Sequence, residues 1–272
     1  MRQRSSGPGI RRPVVAGSFY PADPVCLEAM VRRLLSEAPA IPTTILPRIL
    51  VVPHAGYVYS GPVAATGYAA LQTAGEGVER VVVIGPSHFV GFAGLATAGA
   101  VAFATPLGEV PVDPDLTGRF EAMRRVHARP AAHDREHSLE VQLPFLQLTL
   151  PAVSVVPVLT GDADPVAAAA VVDEALQSED TVVIVSSDLS HYLDLEAARR
   201  ADSRTASAVE RLRPDEIEPR AACGGTALRA ALAVARRRGW RCRRLDLRTS
   251  GDTAGSVERV VGYGAFVLGP LR

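Results

Sequence analysis

Six short, mostly apolar runs, each about a strand long and each set off by longer Ala/Leu/Arg-rich stretches, constrain this chain more than anything else in its sequence. They are ILVV (49–52), VVVIG (81–85), VSVVPVL (153–159), TVVIVS (181–186), RRLDLR (243–248) and VVGYGAFVL (260–268). Helix-forming stretches fall near 24–38, 61–74, 138–149, 164–177, 194–212 and 222–238. Apolar runs flanked by helices predict an α/β fold with a mixed, largely parallel central sheet and helices on both faces. Asp23-Pro24 and Asp164-Pro165 read as N-caps with proline at the first helical position. Gly239 reads as a helix stop, and Pro144 predicts a kink or a short helix within 138–149.

A chain of 272 residues, 47% hydrophobic and 21% charged, can bury one substantial core. Residues 1–12 read as a loose Gly/Pro/Arg arm and 13–272 as a single domain, with no solenoid period. A formal net charge of zero gives no electrostatic case for nucleic acid or an anionic membrane. All 29 Lys-or-Arg positions are arginine. Without lysine there is no Schiff-base chemistry, no pyridoxal phosphate attachment and no Walker-type phosphate lysine, because arginine stays protonated. No NAD-binding motif is present either. Three cysteines without a CxxC pair fit a reducing cytoplasm. No apolar run reaches the roughly 18–20 residues of a membrane span, and the first dozen residues lack a signal peptide's apolar stretch, so a cytosolic protein is expected.

Most of these strands lead directly into polar residues. ILVV runs into Pro53-His54, VVVIG into Pro86-Ser87-His88, TVVIVS into Ser187-Asp188-Leu189-Ser190-His191, and RRLDLR into Thr249-Ser250-Gly251-Asp252. In open α/β sheets ligands bind beyond the carboxyl ends of strands, so these groups share one layer if the strands share a direction. His54 and His88 are the best metal-ligand candidates, and Asp252 would complete a two-His, one-carboxylate face suited to ferrous iron. An isolated strand-end histidine more often just hydrogen-bonds a carbonyl; two in equivalent positions make a shared site an even alternative. Asp188 and His191 read either as an acid/base pair, the carboxylate setting the imidazole tautomer, or as ligands, or as an N-cap with a first-turn histidine. His137 and Glu140 would share a face if helical. Cys223 precedes two glycines at a helix amino terminus, where the macrodipole lowers a thiol pKa and favours anions; a small buried cysteine in a turn is the commoner arrangement.

Arg12-Pro13 with AGSFYPADP (16–24), PHAGYVYSGPVAATGYAAL (53–71), VVVIGPSHFV (81–90), EHSLEVQLPFLQ (136–147), SSDLSHY (186–192), ACGGTAL (222–228) and TSGD…VVGYGAF (249–266) resemble the Memo family, whose bacterial and archaeal members are labelled AmmeMemoRadiSam system protein B. The resemblance spans almost the whole chain. It implies the fold of class III extradiol ring-cleaving dioxygenases, which use non-haem Fe(II). By resemblance His54 and His88 match the two metal-site histidines, Asp188 and His191 line the same pocket, and His191 corresponds to the acid/base histidine. Animal members place a cysteine at the third position in the last loop, where this sequence offers Asp252; a carboxylate there favours Fe(II) over copper or zinc. Tyr57, His137 and Cys223 are then expected to contact substrate. The resemblance leaves two functions open: an oxygenase or redox enzyme on an unknown small molecule, or a module that binds an anion or phosphopeptide without turnover. It also implies a link to radical-SAM and AMMECR-type proteins.

Overall fold

The computed structural model describes residues 9–73, 75 and 77–272. The strands in chain order are β1 (Ile10–Arg11), β2 (Ile49–Val52), β3 (Arg80–Pro86), β4 (Leu95–Thr97), β5 (Ala102–Thr105), β6 (Gly108–Pro111), β7 (Val126–Ala128), β8 (Ser154–Thr160), β9 (Thr181–Ser186), β10 (His191–Leu193), β11 (Arg241–Thr249) and β12 (Val260–Gly269). The helices are α1 (Pro24–Glu37), α2 (Tyr57–Gln72), α3 (Pro114–Glu121), α4 (Pro130–His133), α5 (Leu143–Thr149), α6 (Pro165–Ala175), α7 (Leu195–Glu210) and α8 (Gly225–Arg237).

The main sheet runs β10–β12–β2–β9–β3–β8–β4–β7, with β11 paired to β12; a small second sheet is β1–β5–β6. Strands β2, β9, β3 and β8 are mutually parallel. β12 is antiparallel to β2, and β11 antiparallel to β12, so β11 points the same way as β2. The polar strand ends therefore do face one rim of the sheet.

Alternate residues of the central strands feed two cores, which is why these runs are apolar throughout. Leu50, Val52, Val81, Val83 and Ile184 pack with Leu27 and Val31 of α1, Tyr68 of α2 and Phe145 of α5. Ile49, Val51, Val82, Ile84 and Val183 pack on the other side with Val171 of α6, Leu228 and Leu232 of α8, and Val209 of α7. Each fully buried Val, Leu or Ile contributes about 1.5–3 kcal/mol.

Asp23 caps α1 by accepting from the Cys26 N–H (2.9 Å), and Asp164 caps α6 by accepting from the Val166 N–H (2.9 Å). α2 begins at Tyr57, earlier than expected, and carries Pro62 inside it. Pro144 falls in the first turn of α5, where its missing N–H leaves no helical bond unmade; a 3-10 turn over Glu140–Gln142 precedes it. Of the expected arm, residues 1–8 lie outside the described residues. Ile10 and Arg11, however, pair with β5, and Arg11 is buried, ion-paired to Glu140 and lying over the Phe103 ring. Ile10 and Arg11 are therefore part of the fold. Among the described residues no helix is long and apolar enough to cross a membrane.

Candidate metal centre

β2, β9 and β3 are neighbours, and each ends in a residue of the site. His54, just beyond β2, is 1% exposed. Its backbone N–H donates to Asp188 Oδ1 (2.8 Å), and its Nδ1 lies 2.9 Å from Ser186 Oγ at the end of β9. His88, beyond β3, is tied to Glu136: the backbone N–H donates to Oε2 (2.6 Å) and Nδ1 lies 2.9 Å from Oε1. A carboxylate at this position only accepts, so Nδ1 of His88 carries the proton and Nε2 of the neutral ring is bare. The His54 and His88 rings stand 5.2 Å apart, edge to face. His137 stacks on His88 at 4.6 Å, meets His54 edge-on at 5.5 Å, and meets Phe19 at a tilt at 4.8 Å.

The fourth participant arrives from the turn before α8. Cys223 Sγ lies 3.2 Å from His54 Nε2 and accepts the Asp188 N–H at 3.2 Å. The turn packs this tightly because residue 224 is glycine. A Cβ there would sit 2.7 Å from both Ser186 O and Ser187 Cβ, while its N–H donates to Ser187 Oγ at 2.9 Å. Ligand atoms of His54, His88 and Cys223 all lie within 4.8 Å of one another. His88, Glu136 and His137 satisfy the same limit. Yet the Glu136 carboxylate already accepts from the His88 ring and from the N–H groups of His88, His137 and Ser138, so it orients the His88 imidazole and has little capacity left as a donor of its own.

Burial sets the charge states. It pushes His54 down to about 3, helped by the neighbouring His88, and it pushes His137 down to about 4, helped by His54. Both rings are neutral at pH 7, the form that binds metals. Burial opposes ionisation of Glu136, but the hydrogen bonds from His88 and Ser138 outweigh it and hold the carboxyl at about 2. Burial and then the charge of Asp188 push the Cys223 thiol up to about 12. The helix-terminus lowering expected for this thiol is overruled: desolvation and a nearby carboxylate act more strongly than the partial charge of a helix end.

The family model for Memo-like proteins matches residues 11–267. The chain belongs to the Memo-like family. It is 37% identical over 272 residues to a MEMO1 family protein of Archaeoglobus fulgidus, covering 95% of this chain and 99% of that one. A relative in Aquifex aeolicus is 34% identical over 267 residues (93% and 97% covered), and one in Thermotoga neapolitana 35% identical over 285 residues (95% and 99%); both are also named MEMO1 family proteins. The Memo-like fold is the extradiol dioxygenase-like α/β arrangement seen here.

Within this Memo-like site His54 and His88 come together, and His137 and Cys223, expected as substrate contacts, stand beside them. Asp252 does not join them. Antiparallel β12 separates β11 from β2, and the Asp252 carboxylate caps its own turn, accepting from the Thr249 N–H and hydroxyl (both 2.8 Å) and from Arg199 (2.6 Å). Cys223 occupies the place expected of Asp252. Tyr57 is not at the site either. It lies in the core, its hydroxyl donating to Val141 O (2.6 Å) and its ring against Phe145 and Tyr20. Asp188 borders the centre but holds the His54 amide rather than His191, with which it makes no hydrogen bond. Burial raises the Asp188 carboxyl, against the opposing His54 N–H. His191 is exposed and edges a cavity of about 860 Å³ shared with Ser190, Arg204 and Arg220. Glu140 turns away from His137, accepting from Arg11, the Tyr20 hydroxyl and the Val14 and Val15 amides. Sequence reasoning missed Glu136, Ser186 and Gln142. Their signal was a carboxylate immediately before His137, a hydroxyl closing a run of four apolar strand residues, and an amide between Val141 and Leu143.

Proposed function

We propose that this Memo-like protein is a metal-dependent redox protein of the oxygenase type acting on a small molecule. One observation carries the reading: two oriented imidazoles and one thiol present their donor atoms within 4.8 Å of one another. The donors suit an ion. The His54 ring has no proton to lose at neutral pH, the His88 ring is fixed by a buried carboxylate, and the cysteine has a proton to give up. His54, His88 and Cys223 would hold the ion, with His137 alongside. When bound, such an ion supplies Lewis acidity and, if redox-active, single-electron chemistry. The preference for Fe(II) followed from a carboxylate at the third position. With a thiol there the donor set favours a softer ion, copper before iron. His191, exposed at a cavity edge, would exchange a proton with a bound hydroxyl in this reading.

Elemental analysis of freshly purified protein, followed by anaerobic titration of wild type, His54→Ala and His88→Ala with Cu(I), Fe(II) and Zn(II), tests this. Tight binding by wild type alone supports the reading, and equal binding by all three proteins removes it. A second reading, recognition of an anion or peptide without turnover, is favoured by one observation: Asp188 hydrogen-bonds the His54 amide and not His191, so the expected acid/base pair is not formed. Saturable phosphopeptide binding that survives a chelator would favour this reading over the first.

A further inference from the structure

Behind His54 runs a chain of buried hydrogen bonds whose direction is dictated at both ends by backbone carbonyls. Gln142, 1% exposed, approaches Pro53 O (2.9 Å) and Ser186 Oγ (2.8 Å) with its Nε2, and its Oε1 accepts from the Tyr68 hydroxyl (2.9 Å). A carbonyl only accepts, so the amide nitrogen must face Pro53; the flipped amide would set two acceptors against each other. Both amide hydrogens are then in use, one on Pro53 and one on Ser186. Ser186, 0% exposed, has a single proton and gives it to Ser138 O (2.6 Å). Its oxygen can therefore only accept from His54 Nδ1, 2.9 Å away. The proton of the neutral ring must sit on Nδ1, and Nε2 is left as a lone pair facing Cys223 Sγ.

We propose that Ser186 and Gln142 are positioning residues that fix His54 in its Nδ1–H tautomer before any ion arrives, so that the core between α2 and α5 selects the donor nitrogen. The two histidines reach the same tautomer by different means: His88 through a carboxylate, His54 through a neutral relay of hydroxyl and amide. In the metal-free protein the Cys223 S–H donates to His54 Nε2, and this thiol proton is what a bound ion would replace. The affinity part of this proposal rests on the metal reading above; the tautomer part does not.

The test uses full-length, metal-free protein labelled with 15N-histidine, with long-range 1H–15N correlation spectra at neutral pH and the His54 pattern assigned by its loss in His54→Gln. Wild type is expected to show a protonated Nδ1 and a bare Nε2. Ser186→Ala is expected to mix or reverse the tautomers, Ser186→Thr to restore them, and Gln142→Met to shift part of the population. Cu(I) affinity, read by competition with a chromogenic chelator, should fall about 10–100-fold in Ser186→Ala and recover in Ser186→Thr. A wild-type His54 protonated on Nε2 overturns the proposal, as does a Ser186→Ala protein that keeps both tautomer and affinity. If wild type binds none of Cu(I), Fe(II) and Zn(II), the metal reading fails while the tautomer comparison still decides this one. Should Ser186→Ala not fold, Gln142→Met decides: a partial tautomer shift upholds the proposal and an unchanged spectrum overturns it.

Discussion

Two polar clusters cap the same rim of the sheet, and they differ in almost every physical respect. At the middle of the rim, His54, Glu136 and Ser186 are at most 2% exposed and each is held by groups from distant segments. At its outer end Asp252 keeps 28% of its side chain exposed and pairs with Arg199, which is 58% exposed. In the middle, every hydrogen bond replaces one that water can no longer make, so losing a partner leaves a buried group unsatisfied. At the outer end, water stands in for whatever is removed, and an exposed ion pair contributes little. Strand direction puts groups on a rim; burial decides whether they become a site.

The sharpest way to break this contrast is at Glu136. Glu136→Ala orphans the N–H groups of His88, His137 and Ser138 together and is expected to cost about 3–5 kcal/mol in urea unfolding, with Glu136→Gln costing less because it keeps one acceptor oxygen. A loss under about 1 kcal/mol would place Glu136 with the outer cluster.

Acid, which acts on several buried rings at once, should weigh at least as much. His54 and His137 have folded pKa values of about 3 and about 4 against 6.5 for the free side chain. Below pH 6.5 the unfolded chain therefore binds protons that the folded one refuses. The stability these rings contribute is fully present above 6.5 and is lost as pH falls toward 4 and then 3, at about 1.4 kcal/mol per pH unit per ring. His133, buried with its Nε2 3.1 Å from Ala96 O and held at about 4 mainly by burial, adds to the same window. Urea midpoints at pH 7.5, 5.5 and 4.5 check the sign, and a flat profile would contradict it.

Smaller still is the expected change in folding free energy on Cys223→Ala: about 1–2 kcal/mol, because two weak sulfur hydrogen bonds go, the one to His54 and the one from the Asp188 N–H. Ion affinity, by contrast, should collapse, and calorimetry on the two proteins separates the two effects. Smallest is Asp252→Asn, which keeps an oxygen for the turn and loses only an exposed pair. About 0.5 kcal/mol or less is expected, with metal binding unchanged; weakened metal binding would return Asp252 to the site.

The central elements were legible because β-branched runs buried on both faces have no other comfortable conformation; ILVV and TVVIVS became β2 and β9 without a shifted residue. The short strands β4 to β7 and helix α3 were not, since three or four residues such as Leu95–Thr97 carry no period to read. His54 and His88 were legible for the same reason as their strands. Asp252 was misread because its strand end matches theirs in pattern, and nothing local reports that β12 comes between. Tyr57 was misread by its closeness to His54: three residues on, the first turn of α2 has already carried it into the core. Cys223 was noticed for its helix terminus, but its pairing with His54 joins residues 169 apart in sequence.

The stack of Phe19, His137 and His88 shapes more than electrostatics. It lies on the β3 side of His54, so that flank is walled by aromatic rings braced by the chain's own beginning, with Arg11 and Glu140 clamping the segment that carries Phe19. His191 and its cavity lie on the other flank, toward β12. A visiting molecule therefore meets aromatic surface on one side of His54 and arginine-bearing polar surface on the other.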